Sequence, residues 1–296
     1  MQGVSFVIPA RNEIYLQKTI EDILKNIRGD SEIIAVLDGY WPDPPIKDDK
    51  RVTIIHHVES IGQRYAINEA AKIATKKFIC KLDGHSAIDE GFDVKMMADC
   101  KYDETHLARM YNLDVTTWTP KIHKVTDYMW IRSPYTKDKP FRHNYWDGKC
   151  AHEYPAEYKK HKKMAYRRGE ICDVMTGQGA YFFMHLNRFW ELGGCDTGHG
   201  SWGQQGVEVA LKAWLSGGSL KVNKKTWFAH FFRGGTGPGF PYPIKGRDQQ
   251  KARNYSVDFW MNGRWPLQTR PMEWLVNKFS PLPTWDEKPN GGTKNG

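Results

Sequence analysis

The first hundred residues alternate short apolar runs with amphipathic stripes, and this alternation restricts the possible folds more than any other feature. Val4–Ile8 reads as a buried strand halted by Pro9, and Ile14, Ile20, Ile23, Leu24 and Ile27 fall on one helical stripe. Ile33–Leu37 is a second strand ending at Asp38-Gly39, and a Pro- and Asp-rich loop leads to a third, Val52–Ile55. A helix over Ile61–Ala74 and a fourth strand, Phe78-Ile79-Cys80, complete the series. Strands separated by helices and short connections predict an α/β fold, a mostly parallel sheet with helices on both faces. In such sheets ligands gather at the carboxyl ends of the strands, near a switch in strand order.

Two acidic strand ends fall at that edge. One is Asp38; the other lies in Lys81-Leu82-Asp83-Gly84-His85-Ser86. A carboxylate and an imidazole two residues apart, with the chain turning at Gly84, can aim at one point. An oxygen and a nitrogen donor together suit a divalent transition metal such as Mn²⁺. Asp-Gly is also an ordinary turn, so the triplet gains weight only from its surroundings. The sequence holds neither G-x-x-x-x-G-K-[ST] nor a G-x-G-x-x-G opening the first helix. A nucleotide bound here has to be held by strand-end carboxylates and a metal.

At 296 residues the chain can bury a full core. Its formal net charge of +9 is unevenly placed. Residues 118–170 carry 13 Lys and Arg against 6 Asp and Glu, residues 234–296 carry 9 against 5, and the remainder is slightly acidic. The 118–170 segment has little periodicity and mixes cations with aromatics, which reads as a basic insertion or acceptor loop. Aromatics interleaved with cations serve sites that track phosphates and stack bases; a solvated charged face is the plainer account. Lys159, Lys160, Lys162, Lys163, Arg167 and Arg168 are the candidates for contact with a polyanion. The five cysteines are scattered, odd in number and without Cys-x-x-Cys, which fits a reducing compartment. The N-terminus lacks signal-peptide features, and no run approaches the ~18 apolar residues of a membrane span. The expectation is a soluble, cytoplasmic chain with no membrane contact and no obligate protein partner.

In the second half, Val174–Met184 returns to strand, with Gly177 and Gly179 permitting close backbone approach. Leu186–Leu192 is a short helix and Gln204–Leu215 a longer one, turning Val207, Ala210, Leu211 and Trp214 inward. A strand pair follows, ending in Phe228-Ala229-His230-Phe231-Phe232-Arg233. One domain is expected over 1–233: a nucleotide-binding half (1–100), the basic segment (118–170) and an acceptor half (171–233). Residues 234–296, with four Trp among prolines, read as an extended wrap whose end, Asn290–Gly296, is disordered.

Several of these motifs, taken in order, resemble glycosyltransferase family 2: Val7-Ile8-Pro9-Ala10-Arg11-Asn12-Glu13, Asp38-Gly39, Gly62 with Ala66 and Asn68, and Leu82-Asp83-Gly84-His85. The second half is similar to the polypeptide N-acetylgalactosaminyltransferases in Thr176–Phe182, Phe189–Asp196, Trp202-Gly203, Glu208, Trp214, Gly217-Gly218 and His230–Arg233. The resemblance covers roughly 4–100 and 172–233 and implies a GT-A fold, a nucleotide-sugar donor, usually UDP-linked, and Mn²⁺ or Mg²⁺. On matching positions it makes Asp83, His85 and His230 metal ligands. It gives donor binding to Pro9, Ala10, Arg11, Asn12, Glu13, Asp38 and Gly177, with Arg64 near a nucleotide-binding arginine. Arg233 contacts the diphosphate or a closing loop, and Trp202 lines the donor and acceptor pocket.

The relatives carry an acidic residue just after Trp-Gly; this chain has Gln204-Gln205-Gly206 there. An inverting transferase needs a base for the acceptor proton, and Glu208 is the nearby candidate, equally readable as a helix N-terminal carboxylate. Without a base, attack on the leaving-group face retains configuration. The basic segment and the absence of an anchor favour a polyanionic acceptor. The reading they support is a DNA glycosyltransferase similar to phage enzymes acting on hydroxymethylated pyrimidines, with the base flipped toward the metal. A protein or glycan transferase is the alternative, and a non-catalytic nucleotide-sugar binder a second.

Overall fold

Four aliphatic runs become the parallel strands β1 (Val4–Ala10), β2 (Glu32–Asp38), β3 (Val52–His57) and, later, β4 (Phe78–Leu82). In this computed structural model, which describes residues 2–137, 139–234, 238–244 and 246–285, they lie in the order β3-β2-β1-β4. The expected disorder at Asn290–Gly296 falls outside the described residues. Alternate side chains face opposite layers, as the strand period requires. Phe6, Ile8, Ile33, Ala35 and Leu37 pack with α1 (Leu16–Asn26), while Val7, Ile34 and Val36 pack with α2 (Gln63–Ile73). The predicted α1 stripe holds from Leu16 onward. Ile14 precedes the helix and stays 77% exposed.

The chain then forms β5 (Ser86–Ile88), α3 (Phe92–Asp99) and β6 (Glu104–Asp114), the last an unforeseen strand. Residues 118–170 fold into β7 (Thr119–Thr126), β8 (Met129–Ile131), β9 (His143–Tyr145), α4 (Gly148–Glu153) and α5 (Pro155–Lys163) instead of a loop. Elements of three to nine residues are too short to show a period. Several of its aromatics turn inward: Trp130 and Phe141 are fully buried, and Trp146 stacks on the buried His161 with ring centroids 3.9 Å apart. Around Trp130, Trp146 and His161 the interleaving of cations and rings is therefore a packing pattern, with rings inside and the lysines of α5 outside.

After β10 (Ile171–Asp173) come β11 (Tyr181–His185), α6 (Leu186–Glu191), α7 (Gln205–Leu215) and β12 (Ser219–His230). The completed order is β10-β12-β6-β11-β4-β1-β2-β3, with β5 on β12 and β7 on β6. β11 is antiparallel to β4, and β12 runs parallel to β6. The expected strand pair is this single β12, whose register shifts between Asn223 and Trp227. The polar Asn223-Lys224-Lys225 looks like a turn, but Asp99 receives hydrogen bonds from both Asn223 and Lys225 and holds it as a bulge.

The tail is less extended than expected. It contains α8 (Gly246–Met261) and α9 (Met272–Phe279). Pro271 precedes the first residue of α9, a place where proline starts a helix instead of breaking it. Leu275 and Phe279 bury against Trp214, Lys278 pairs with Asp173 at 2.7 Å, and Trp285 donates to the Ile131 carbonyl at 2.6 Å. All five cysteines are buried and free. Among the described residues, no helix is long and apolar enough to cross a membrane.

Candidate metal centre and donor site

Asp83 lies one residue past β4, where its backbone N–H donates to Ala180 just before β11. The next strand, β5, pairs antiparallel with β12, so that Ser86 faces His230 and the Phe231 N–H reaches the His85 carbonyl at 3.1 Å. That ladder brings two imidazoles together from positions far apart in the chain. His85 Nε2 and His230 Nε2 are 3.0 Å apart, and Asp83 Oδ2 lies 3.1 Å from the latter and 4.0 Å from the former. Asp83, His85 and His230 offer three ligand atoms within 4.8 Å of one another.

The protonation pattern suits a cation. His85 Nδ1 donates to Glu13 Oε2 at 2.7 Å, which turns the Nε2 lone pair toward the centre, the usual carboxylate–histidine–metal arrangement. Burial pushes the His230 imidazole down to about 4, outweighing its hydrogen bond to Asp83, so it is neutral at pH 7. A single proton on His230 Nε2 can satisfy only one of its two neighbours. Two imidazoles and a carboxylate facing one point fit Mn²⁺ chemically.

Two neighbours hold this triad in place. Lys81 Nζ donates to Asp83 Oδ1 and, at 2.7 Å, to the Gly179 carbonyl, while 0% exposed. Burial alone raises the Asp83 carboxyl, but the Lys81 ammonium and His230 hold it well below the ordinary carboxylate range. Glu13 gives its second oxygen to Arg233 Nη2 at 2.7 Å and to the Tyr15 N–H. Arg233, expected at the diphosphate or a closing loop, is buried with Glu13 as partner and lies near the Tyr15 and Phe231 rings. Sequence reasoning assigned Lys81 no role. The available signal was a lysine in an apolar strand, two residues before the strand-end aspartate and hence on the same side.

Residues 238–244 run beside this centre and gather several of the expected donor residues. Gly239 N–H donates to the Arg233 carbonyl at 3.0 Å and Asn12 Nδ2 to the Pro241 carbonyl at 3.1 Å. Arg11 lies 5.4 Å from the Tyr242 ring, and Trp202 meets Phe240 edge-on. Pro9 and Ala10 close β1 behind them.

Four expectations change with the geometry. Asp38 accepts hydrogen bonds from Ser60 Oγ (2.8 Å), the Ile61 N–H (2.6 Å) and the Gly62 N–H (3.1 Å), so both its oxygens anchor the turn into α2. Arg64 is wholly buried and bonds Glu208 (2.8 Å), Gly200 O and Gly203 O, which makes it a brace for the 200–203 loop and not a nucleotide contact. Glu208 cannot act as a general base. It is 1% exposed, paired with Arg64 and Lys212, and accepts the Asp196 N–H. Burial alone raises its carboxyl, but Lys212 and Arg64 more than reverse this and hold it at about 2. Gly177 meets the protein instead of a donor: a Cβ there would come 2.3 Å from Leu107 Cδ1, and its carbonyl abuts Gly206 in the first turn of α7.

Of the basic candidates, Lys159, Lys160, Lys162, Lys163 and Arg168 are exposed, and Arg167 is half-buried over the Tyr128 ring at 4.2 Å. They lie on and just after α5, apart from the triad in sequence and on different elements.

The glycosyl transferase family 2 profile matches residues 5–161. A putative polypeptide N-acetylgalactosaminyltransferase 13 from Drosophila melanogaster is 24% identical over 252 residues, covering 78% of this chain and 42% of that protein. Polypeptide N-acetylgalactosaminyltransferase 5 from Rattus norvegicus is 33% identical over 70 residues, 24% of this chain and 7% of its own. A crystal structure of GalNAc-T7 with UDP, GalNAc and Mn²⁺ has a similar fold, with TM-score 0.63 and 18% identity, over 88% of this chain and 49% of that one. The chain thus spans less than half the length of these relatives. Its profile match covers more than half of its own residues, with Asp83 and His85 inside that span, and the chain belongs to glycosyl transferase family 2.

Proposed function

We propose that the chain is a metal-dependent glycosyltransferase that moves a sugar from a UDP-sugar to a hydroxyl acceptor. The convergence of Asp83, His85 and His230 at the carboxyl edge of the parallel strands carries this reading. Asp83, His85 and His230 would hold a Mn²⁺ ion, which would supply Lewis acidity toward the charge of a departing diphosphate. Glu13 fixes the His85 ring, Arg11 and Asn12 border the donor edge, and Arg233 stands ready as a cation once it leaves or shares Glu13. With Glu208 locked in its ion pair, the acceptor hydroxyl loses its proton to the departing phosphate oxygen. The anomeric carbon–oxygen bond breaks and the new one forms on the same face, so configuration is retained.

The polypeptide-modifying relatives support a protein Ser or Thr hydroxyl as acceptor. A second reading, hydroxymethylated DNA, is supported by the exposed lysines of α5. The experiment incubates the protein and Mn²⁺ with a panel of UDP-sugars and either a Ser/Thr peptide, hydroxymethylcytosine DNA or plain DNA. Mass gain on the peptide, absent in Asp83→Ala, supports the first reading. Gain confined to hydroxymethylcytosine DNA transfers the assignment to the second. Failure to consume any donor rejects the transferase reading.

A further inference from the structure

We propose that Lys81 is a positioning residue that makes divalent-metal binding at Asp83 depend on the diphosphate that accompanies the metal. The inference rests on the reading of Asp83, His85 and His230 as a metal centre. Lys81 is the only charged side chain of β4, whose other members, Phe78, Ile79, Cys80 and Leu82, are apolar and buried. A buried ammonium is a poor device for stability, because an apolar side chain of similar volume commonly serves the fold as well or better. Its partners state its purpose: Nζ takes Asp83 Oδ1 and the Gly179 carbonyl.

Two consequences follow. The first concerns the carboxylate, which is left with one oxygen, Oδ2, facing the two histidines. The second concerns charge. Each carboxylate at the centre already has an internal cation, Asp83 with Lys81 and Glu13 with Arg233. The side chains therefore bring almost no net negative charge to a dication, and a fixed ammonium stands across the carboxylate from it. Repulsion at such range inside a protein is large compared with its value in water. A bare ion is disfavoured, whereas an ion that arrives with a diphosphate brings its own counter-charge. Lys81 thereby couples the metal to the donor.

The test titrates Mn²⁺ into the full chain by calorimetry or by loss of the free-ion paramagnetic resonance signal, with and without UDP. Wild type is expected to bind bare Mn²⁺ weakly and to gain about tenfold or more with UDP, the scale of such a charge effect. Lys81→Met is expected to bind bare Mn²⁺ about tenfold more tightly than wild type and to lose most of the UDP gain. Lys81→Arg keeps the charge and stays near wild type. The wild-type comparison stands even if Lys81→Met does not fold: equal affinity for Mn²⁺ with and without UDP overturns the proposal. So does a folded Lys81→Met with unchanged or weaker affinity, or a Lys81→Arg that tightens as Met does. No Mn²⁺ binding by wild type in either condition overturns the metal-centre reading itself, an outcome distinct from the others.

Discussion

Glu13 is the residue on which most of the site converges, although it is not one of the three candidate ligands. One oxygen orients His85 and the other neutralises Arg233. Glu13→Gln keeps the shape and removes the charge, and outer-shell losses of this kind cost about 10–100-fold in metal affinity. Calorimetric Mn²⁺ titration in the presence of UDP checks this; an affinity equal to wild type contradicts it. Glu208 is the opposite case, a carboxylate spent on structure. Its folded value near 2 lies below its ordinary 4.5, so its ion pairs add stability that is complete above pH 4.5 and lost as pH falls toward 2. Glu208→Gln removes one partner of a buried network and is expected to cost about 3–5 kcal/mol. Thermal melts between pH 2 and pH 7 should show a lower melting temperature at neutrality and a shallower fall in acid. A melting curve unchanged from wild type would contradict the pairing.

At the scale of elements, the close approach anticipated at Gly177 and Gly179 occurs, and what approaches is α7. A Cβ on Gly206 would sit 2.1 Å from the Gly177 carbonyl oxygen and 2.8 Å from the Gln178 carbonyl carbon, both backbone atoms with no rotamer to yield. Gly206→Ala is therefore expected to push α7 from the 176–179 segment and destabilise the protein by about 1–3 kcal/mol, the usual range for overpacking. That displacement reaches Gly179, the carbonyl partner of Lys81, so the gain in Mn²⁺ affinity from UDP should shrink along with stability. Denaturant melts and the same titration check both. The sequence made the elements of the donor half legible because β1 to β4 and α1 to α2 declare themselves through local periodicity. It made β8, β9 and α9 illegible because three-residue strands have no period and proline signals both the start and the end of a helix.

Across the whole molecule, what was legible in advance divides by sequence separation. Asp83 and His85 are two residues apart and could be read together. His230 was reached only through a motif resemblance, since nothing in spacing joins it to His85. The Arg64–Glu208 pair, 144 residues apart, was misread on both sides, as a nucleotide contact and as a base, because each charge has a plausible exposed role until burial is known. The tail is similarly nonlocal: α9 sets Leu275 and Phe279 against Trp214, and Arg270 caps the Trp214 and Gly218 carbonyls. Fully burying one such side chain contributes about 1.5–3 kcal/mol, so ending the chain after Met261 should leave a protein that melts far earlier or aggregates, as scanning calorimetry and light scattering would show.

The ladder that sets Ser86 opposite His230 also gives the centre a place in time. Its candidate ligands come from the first third and the last third of the chain, the two histidines standing 145 positions apart. During synthesis the leading β/α units can form while one of the three candidate ligands, His230, does not yet exist, so a complete site waits for β12 to enter between β5 and β6. A bound cation then acts as a removable cross-link across a very long loop, favouring the folded state by mass action. Melting temperature should climb with Mn²⁺ and UDP in wild type and stay flat in His230→Ala, and a chelator should loosen a molecule whose covalent structure it never touches.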